Sequence, residues 1–305
     1  MSELSPFLPG TKIQYAWDST SLSWFKECPR KYQYFMIEGW RGLHENVHIR
    51  FGGLFHEALE SYDRHRFEGL DHDDALDLVV HDALLKTWDN GAPWVSENPN
   101  KNRENLIRSI IWYCDHFLED SAQTVRLANG KPAVELSFKM ELDWGVGGQP
   151  YLLCGHLDRV VNFIGGAYVM DRKTTSSTIG SNFFDQYDPD NQMSLYSLAA
   201  KVIYKTPVKG VIIDGVQIAV GFSRFSRGFT YRTEAQLEEW LNDTRSWLAL
   251  AEQYATAGHW PMNDKSCHHY GGCPFRKVCS KSPEVRGTFL ESDFHKVPWN
   301  PLVPR

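Results

Sequence analysis

No stretch of the chain approaches the roughly 20 consecutive apolar residues needed to span a bilayer, and its first residues lack the basic and apolar blocks of a secretion signal. A cytoplasmic protein with no membrane partner is therefore the expectation. An excess of basic residues is also missing: 32 Lys and Arg stand against 38 Asp and Glu, for a net charge of −6. That argues against a surface coated in positive charge for sequence-independent nucleic-acid binding, and leaves room for a local basic groove. There is no internal repeat and no low-complexity tract, so the 305 residues read as one succession of elements. No Gly-x-x-x-x-Gly-Lys-Ser/Thr loop occurs, so the chain carries no ATP motor of its own. With nothing pointing to export, its six cysteines are expected as thiols in metal or redox chemistry rather than as disulfides.

What is present is an ordinary globular composition, 42% apolar and 23% charged, rich in aromatics that fill a core or stack on unpaired bases. Helical spacing of apolar residues marks Ser19 to Glu38, with Ser and Thr as capping candidates, then Gly52 to Phe67, His72 to Trp88 and Arg103 to Asp120. Period-2 alternation then marks a strand from Ala133 to Leu142. Two more strands follow, Tyr151 to Ile164 and Ala167 to Lys173, joined by Gly165-Gly166. A helix from Asn191 to Tyr204, strands Val208 to Val220 and Arg227 to Arg232, and a long helix Glu234 to Ala257 complete the pattern; the tail from Gly258 reads as irregular. The order predicts an α/β core preceded by a helical region.

The hairpin places chemistry. If Gly165 and Gly166 form the loop, Asp158 lies opposite Lys173 and Val160 opposite Asp171. Side chains alternate along strands, so Asp158, Asp171 and Lys173 project from one face, with direct neighbours roughly 5 Å and diagonal ones roughly 7 to 8 Å apart. Two carboxylates and an ammonium suit a divalent metal that hydrolyses a phosphodiester, with the ammonium orienting or deprotonating the attacking water. The plain alternative is a solvated hairpin with a cross-strand salt bridge. The apolar Leu152, Leu153, Leu157, Val160 and Val169 around the charges favour a metal-bound or paired trio.

Six short motifs, in order, resemble the RecB-like branch of the PD-(D/E)XK nucleases, which includes the CRISPR-associated RecB-like exonucleases. They are Ser21-Leu22-Ser23 with Cys28-Pro29-Arg30-Lys31-Tyr32; Gly52-Gly53-Leu54-Phe55-His56; Gly155-His156-Leu157-Asp158-Arg159; Met170-Asp171-Arg172-Lys173-Thr174; Gln192-Met193-Ser194-Leu195-Tyr196; and Cys267, Cys273 and Cys279. The resemblance implies a restriction-endonuclease-like core, a mixed sheet flanked by helices. It implies one nuclease domain over residues 1–305: a helical opening region (1–125), a catalytic core (130–257) and a Cys-rich tail (258–305) closing onto Cys28. It further implies that His56, Asp158, Asp171 and the Arg172 backbone carbonyl bind Mg²⁺ or Mn²⁺, and that Lys173 is the catalytic lysine. Glu135 stands where the family often has an acidic residue near the site, where it would hold a second metal or polarise a ligand; its alternative is an exposed strand position. Gln192 and Tyr196, on one helical face, would hold the DNA backbone, or else lie in the core.

Cys267, Cys273 and Cys279 are separated by two gaps of five residues, with Gly271, Gly272 and Pro274 supplying turns. A closed site needs a fourth soft ligand. By resemblance that ligand is Cys28 and the group is a 4Fe-4S cluster; Zn²⁺ with His268 or His269 is the rival. Cys114 and Cys154 read as buried thiols. Arg30 and Lys31, with Lys26 at one end of this clasp and Lys265, Arg276, Lys277, Lys281 and Arg286 at the other, offer a positive groove for DNA. Arg224, Arg227 and Arg232, interleaved with Phe222, Phe225, Phe229 and Tyr231, offer a strip for single strands or a solvated edge. The closing Leu302 to Arg305 reads as a cleavage remnant or a native ending, without function.

The resulting expectation is a metal-dependent exonuclease acting on single-stranded or duplex DNA ends in recombination or repair, beside a separate helicase or annealing recombinase. Compact forms of this kind are associated with phage or mobile elements, hence a host cytoplasm. A non-catalytic DNA-binding or assembly module, its clasp structural and its trio idle, is the alternative. Action on RNA is a third reading, since metal-assisted hydrolysis does not read the sugar.

Overall fold

Proline and glycine cut the chain where periodicity alone ran it together. The computed structural model describes residues 5–43, 46–203 and 207–303; Tyr204, expected to end a helix, and the closing Pro304 and Arg305 lie outside them. In chain order come β1 (Ala16–Trp17), α1 (Ser19–Glu27), a single α-helical turn Pro29–Tyr32 running into a π-helical turn Gln33–Ile37, a strand Trp40–Gly42, α2 (Val47–Glu68), α3 (His72–Lys86) and α4 (Arg103–His116). Then follow β2 (Gln123–Thr124), β3 (Val134–Val146), β4 (Gln149–Phe163), β5 (Gly166–Thr175), α5 (Asn191–Ile203), β6 (Val208–Ile218), β7 (Ser223–Thr230) and α6 (Glu234–Ala257).

The helix expected from Ser19 to Glu38 is interrupted at Cys28, which is extended at φ −162°, and resumes as helical turns over Pro29–Tyr32 and Gln33–Ile37. Pro29 is the reason, because a proline forces its predecessor out of the helical region. Asp18, rather than the expected Ser or Thr, caps α1: its Oδ1 accepts from Ser21 N at 2.7 Å in a reciprocal capping box. Helix α2 begins at Val47 instead of Gly52, because the Asn46 side chain accepts from His48 N at 2.9 Å. Helix α6 matches its expected bounds, with a Thr233/Gln236 capping box and left-handed Gly258 at its end.

The chain forms two compact units: residues 1–44, 137–155 and 233–305 make the first, 45–136 and 156–232 the second. The second holds a mixed sheet. Its portion of β4 pairs antiparallel with β2 and with β5; β5 and β6 are parallel, with α5 in the connection; β6 and β7 are antiparallel. Helices α2, α3 and α4 bury Phe51, Phe55, Leu59, Val79, Leu106 and Ile110 in one core with Val216 and Ile218 of β6. This is the expected α/β arrangement, a mixed sheet flanked by helices.

The β4–β5 loop corrects the sequence arithmetic. Ile164 and Gly165, at φ 42° and 67°, make the turn, and Phe163 pairs with Gly166. Arg159 then faces Met170, so the same register sets Asp158 against Asp171, not Lys173. A two-residue shift leaves each side chain on its original face, so the expected convergence survives. A β-branched residue in the left-handed region is strained. Ile164 is 78% exposed, so it has little packing to lose. Ile164→Asn, which creates the preferred Asn-Gly turn, is expected to raise unfolding stability by about 1 kcal/mol in urea titration.

In the first unit, β1 runs parallel to the start of β4 through Ala16–Leu152 and Trp17–Leu153. Phe25 of α1 packs edge-on to Trp247 of α6 and to Trp260, both at 6.2 Å. The tail, expected to be irregular, contains a helix Arg286–Asp293 and a strand Phe294–Lys296 that pairs with Trp40–Gly42. Among the described residues no helix is long and apolar enough to cross a membrane.

Candidate active site

In the second unit, β5 carries Asp171 and Lys173 on one face, and the adjacent β4 carries Asp158. Asp158 Oδ2 accepts from the Arg172 backbone N at 3.1 Å, which ties its side chain to β5. It also lies 3.2 Å from His56 Nδ1 on α2. Asp171 Oδ2 lies 2.8 Å from Lys173 Nζ, which donates to Gln192 Oε1 of α5 at 2.7 Å. Gln192 Nε2 in turn donates to Tyr196 OH at 2.8 Å. His56, Asp158, Asp171, Lys173, Gln192 and Tyr196 are thus gathered from two strands and two helices.

Burial opposes the charge of both carboxylates, and their neighbours set them apart. It opposes the charge of Asp158, but His56, Lys173 and the Arg172 N–H more than offset it and hold this carboxyl below its usual range. Asp171, only 1% exposed, moves upward because burial and the charge of Asp158 outweigh Lys173 and His56. Burial also opposes the charges of His56 and Lys173, and the carboxylates reverse it, raising both.

Glu135 is buried rather than exposed, with φ 48°, and its charge reaches Tyr196. Strained backbone of this kind collects at functional sites. Lys101, from the loop before α4, gave no sequence signal. Its side chain is buried and donates to Thr174 Oγ1, beside Lys173, at 2.9 Å. Its ammonium lies over the Phe51 ring at 5.1 Å, and among the described residues it has no carboxylate partner. Burial lowers its pKa to about 8. An unfolded lysine stays protonated to about 10.4, so the unfolded state binds the extra proton between about 8 and 10.4 and stability rises with pH there. Lys101→Met is expected to add about 2 to 3 kcal/mol at pH 7 and to remove that rise, as followed by urea unfolding at each pH.

Among the described residues, no three His, Cys, Asp or Glu side chains converge as ligands of one ion. Asp158 turns to His56 and Asp171 to Lys173, so each takes a cation of the protein itself. The donor set nevertheless fits a hard divalent cation, since two buried carboxylates and an imidazole lie in one bonded group. The upward pressure on Asp171 marks negative charge that such a cation would relieve.

The first unit gathers the cysteines. All four sequence-predicted thiols are free, and Cys273 and Cys279 each sense Cys28. Cys279 also senses Cys267. Burial raises the Cys273 and Cys279 thiols, while Lys31 pulls the first down and Arg30 and Arg286 the second. Asn263 N donates to Cys28 Sγ at 3.3 Å and Asn263 Nδ2 to Glu27 O at 2.8 Å. Arg30 N also donates to Pro261 O at 3.1 Å, so the Cys28 turn and the tail are joined by backbone contacts. His268 faces Arg276 instead, at 3.1 Å. Arg30 and Lys31 therefore stand beside the sulfurs; Lys31 is also paired with Glu27 at 2.6 Å.

The basic–aromatic strip is not continuous. Arg227 turns inward to Asp120 and Asp214, and Arg232 pairs with Asp188. Arg224, Phe222, Phe229 and Tyr231 remain exposed. Counter-charges distant in sequence draw two of the three arginines off the surface.

No curated protein is significantly similar to this chain. Among solved structures, one from Eubacterium rectale, provisionally named an exonuclease, is similar with a TM-score of 0.53 at 13% identity, covering 83% of this chain and 86% of that one. A protein named SSO0001 aligns at 15% identity over 87% and 86% of the two chains, with a TM-score of 0.37. The first likeness shows the fold. The profile of the PD-(D/E)XK nuclease superfamily matches residues 17–280. With the match spanning β1 to the last cysteine, the chain belongs to the PD-(D/E)XK nuclease superfamily.

Proposed function

We propose that this protein is a metal-dependent deoxyribonuclease that degrades DNA from its ends. The observation that carries the reading is the bonded group of His56, Asp158, Asp171, Lys173 and Gln192, assembled from four elements of one unit. His56, Asp158, Asp171 and the Arg172 backbone carbonyl would hold Mg²⁺ or Mn²⁺, and Glu135 supports the site from the neighbouring strand. Such an ion supplies Lewis acidity: it lowers the pKa of bound water and offsets charge on the phosphoryl group. Lys173, fixed between Asp171 and Gln192, presents its ammonium to orient the attacking water and stabilise charge on the phosphate. Gln192 and Tyr196 fix Lys173 from α5, a role closer to the chemistry than the DNA-backbone contact expected from sequence.

The four thiols suit a 4Fe-4S cluster by their chemistry: they are free, Cys28 acts on both Cys273 and Cys279, Cys267 acts on Cys279, and Lys31, Arg30 and Arg286 beside them suit a negatively charged group. Arg30 and Lys31 would then guide DNA past the cluster. A role in recombination or repair, in the cytoplasm and beside a separate helicase or annealing protein, follows from the RecB-like motifs. The test uses end-labelled linear DNA, single- and double-stranded, beside covalently closed circles in Mg²⁺. Loss of linear DNA with circles intact supports action on ends, and the label that disappears first gives polarity. Equal cleavage of circles would replace the exonuclease reading with an endonuclease.

A further inference from the structure

The opposite face of the same sheet carries a second constellation. Strand registers place Arg159 opposite Met170, Arg172 beside Asp214, and Asp214 opposite Arg227. Arg159, Arg172, Asp214 and Arg227 thus cross four neighbouring strands on one face, three cations to one anion, a row that repels itself unless it is balanced. Asp63 of α2 and Asp120, beyond the end of α4, balance it. Asp63 of α2 meets Arg172 at 2.6 Å and Arg159 at 3.5 Å; Asp120, after α4, meets Arg227 at 2.7 Å and Arg159 at 4.0 Å. Tyr113 of α4 closes the circuit, accepting from Arg172 Nε at 3.3 Å and donating to Asp214, which lies 3.4 Å from Arg227. Three aspartates, three arginines and one tyrosine form a closed, charge-balanced ring.

Asp63 holds a particular place in it. Its Oδ1 faces Arg159, the residue after Asp158, and its Oδ2 faces Arg172, the residue after Asp171. Successive strand side chains point to opposite faces, so each arginine anchors its strand from behind a carboxylate of the active site. Asp63 also follows His56 by seven residues, two turns along α2. The three elements that bear His56, Asp158 and Asp171 meet at one buried carboxylate. Nothing in the family motifs pointed to it.

We infer that Asp63 is a positioning residue: by holding Arg159 and Arg172 it sets the spacing of Asp158 and Asp171, and thereby the affinity of the site for its divalent cation. The inference rests on the metal-dependent nuclease reading. Residues behind metal ligands typically contribute 10- to 100-fold in metal affinity. The test measures Mn²⁺ affinity by electron paramagnetic resonance, with no turnover required, together with kcat and KM for DNA. Asp63→Asn is compared with Asp63→Glu and with Val79→Ala, a core truncation on α3, a helix that contributes nothing to the ring.

The expected result is Mn²⁺ affinity weakened about 10-fold or more in Asp63→Asn, with kcat lowered and KM for DNA little changed. Asp63→Glu recovers most of the affinity, and Val79→Ala keeps wild-type affinity despite its lower Tm. Unchanged affinity in Asp63→Asn, or an equal loss in Val79→Ala, overturns the inference while the nuclease reading stands. Should Asp63→Asn not fold, Asp63→Glu decides: affinity as weak as the 10-fold mark, with the charge retained, counts against positioning by charge. A wild-type protein that neither binds Mn²⁺ nor cleaves DNA overturns both.

Discussion

Lys173→Ala is expected to lower the single-turnover rate of DNA cleavage by about 10³-fold while leaving DNA affinity within a few-fold of wild type. The split follows from where Lys173 stands. Its ammonium is paired with Asp171 and donates to Gln192, which holds it beside the carboxylates rather than free as a general phosphate anchor. In the proposed reaction its work lies at the reacting centre, orienting water and offsetting charge that grows in the transition state. The substitution also strips Asp171 of its cation, leaving a carboxylate that burial already pushes toward protonation. A divalent ion compensates, so the variant should bind Mn²⁺ no more weakly than wild type. Rapid-quench cleavage with fluorescence anisotropy for binding reads both quantities. Residual activity within 10-fold of wild type would remove Lys173 from the chemistry.

The second large effect is expected in the other unit. Wild-type protein purified anaerobically should contain about four irons per chain, and Cys279→Ala less than one. Loss of the cluster should cost about 5 kcal/mol or more, lowering Tm by about 10 to 20 °C, because Cys28 and the tail sulfurs lie far apart in the chain and their ligation closes a long loop. The hydrogen bonds from Asn263 and Arg30 retain part of that closure, so the unit is destabilised rather than unfolded outright. Metal analysis and thermal melts follow the two effects. One zinc per chain in place of iron would reject the iron–sulfur assignment and keep the clasp.

Much of the site was legible because strand geometry forgives error. The loop was placed one residue late, since Ile164 in the left-handed region runs against its own preference, yet the two-residue register shift kept Asp158, Asp171 and Lys173 on one face. Pairwise contacts were less secure: Lys173 was set against Asp158, and the structure gives it to Asp171 and Gln192. Glu135 was harder, because alternation turned it outward while a positive φ breaks the alternation and buries both Val134 and Glu135. The ring around Asp63 was invisible, since Asp63, Asp120 and Arg227 are distant in sequence and each reads alone as a surface charge. Arg227 was misread for the same reason. A trace was there to be seen: each aspartate of the candidate site is followed by an arginine, Asp158-Arg159 and Asp171-Arg172. On a strand that must place the arginine on the opposite face, where it needs a counter-charge.

The central claim, that Asp158 and Asp171 hold a metal which cuts DNA, is met most directly by incubating the purified protein with labelled DNA in Mg²⁺, Mn²⁺ or EDTA, beside Asp171→Asn. Cleavage is expected in either metal, none in EDTA, and none above background in Asp171→Asn. Cleavage that persists in EDTA or in Asp171→Asn, or a folded wild-type protein that cuts under no condition, would contradict it.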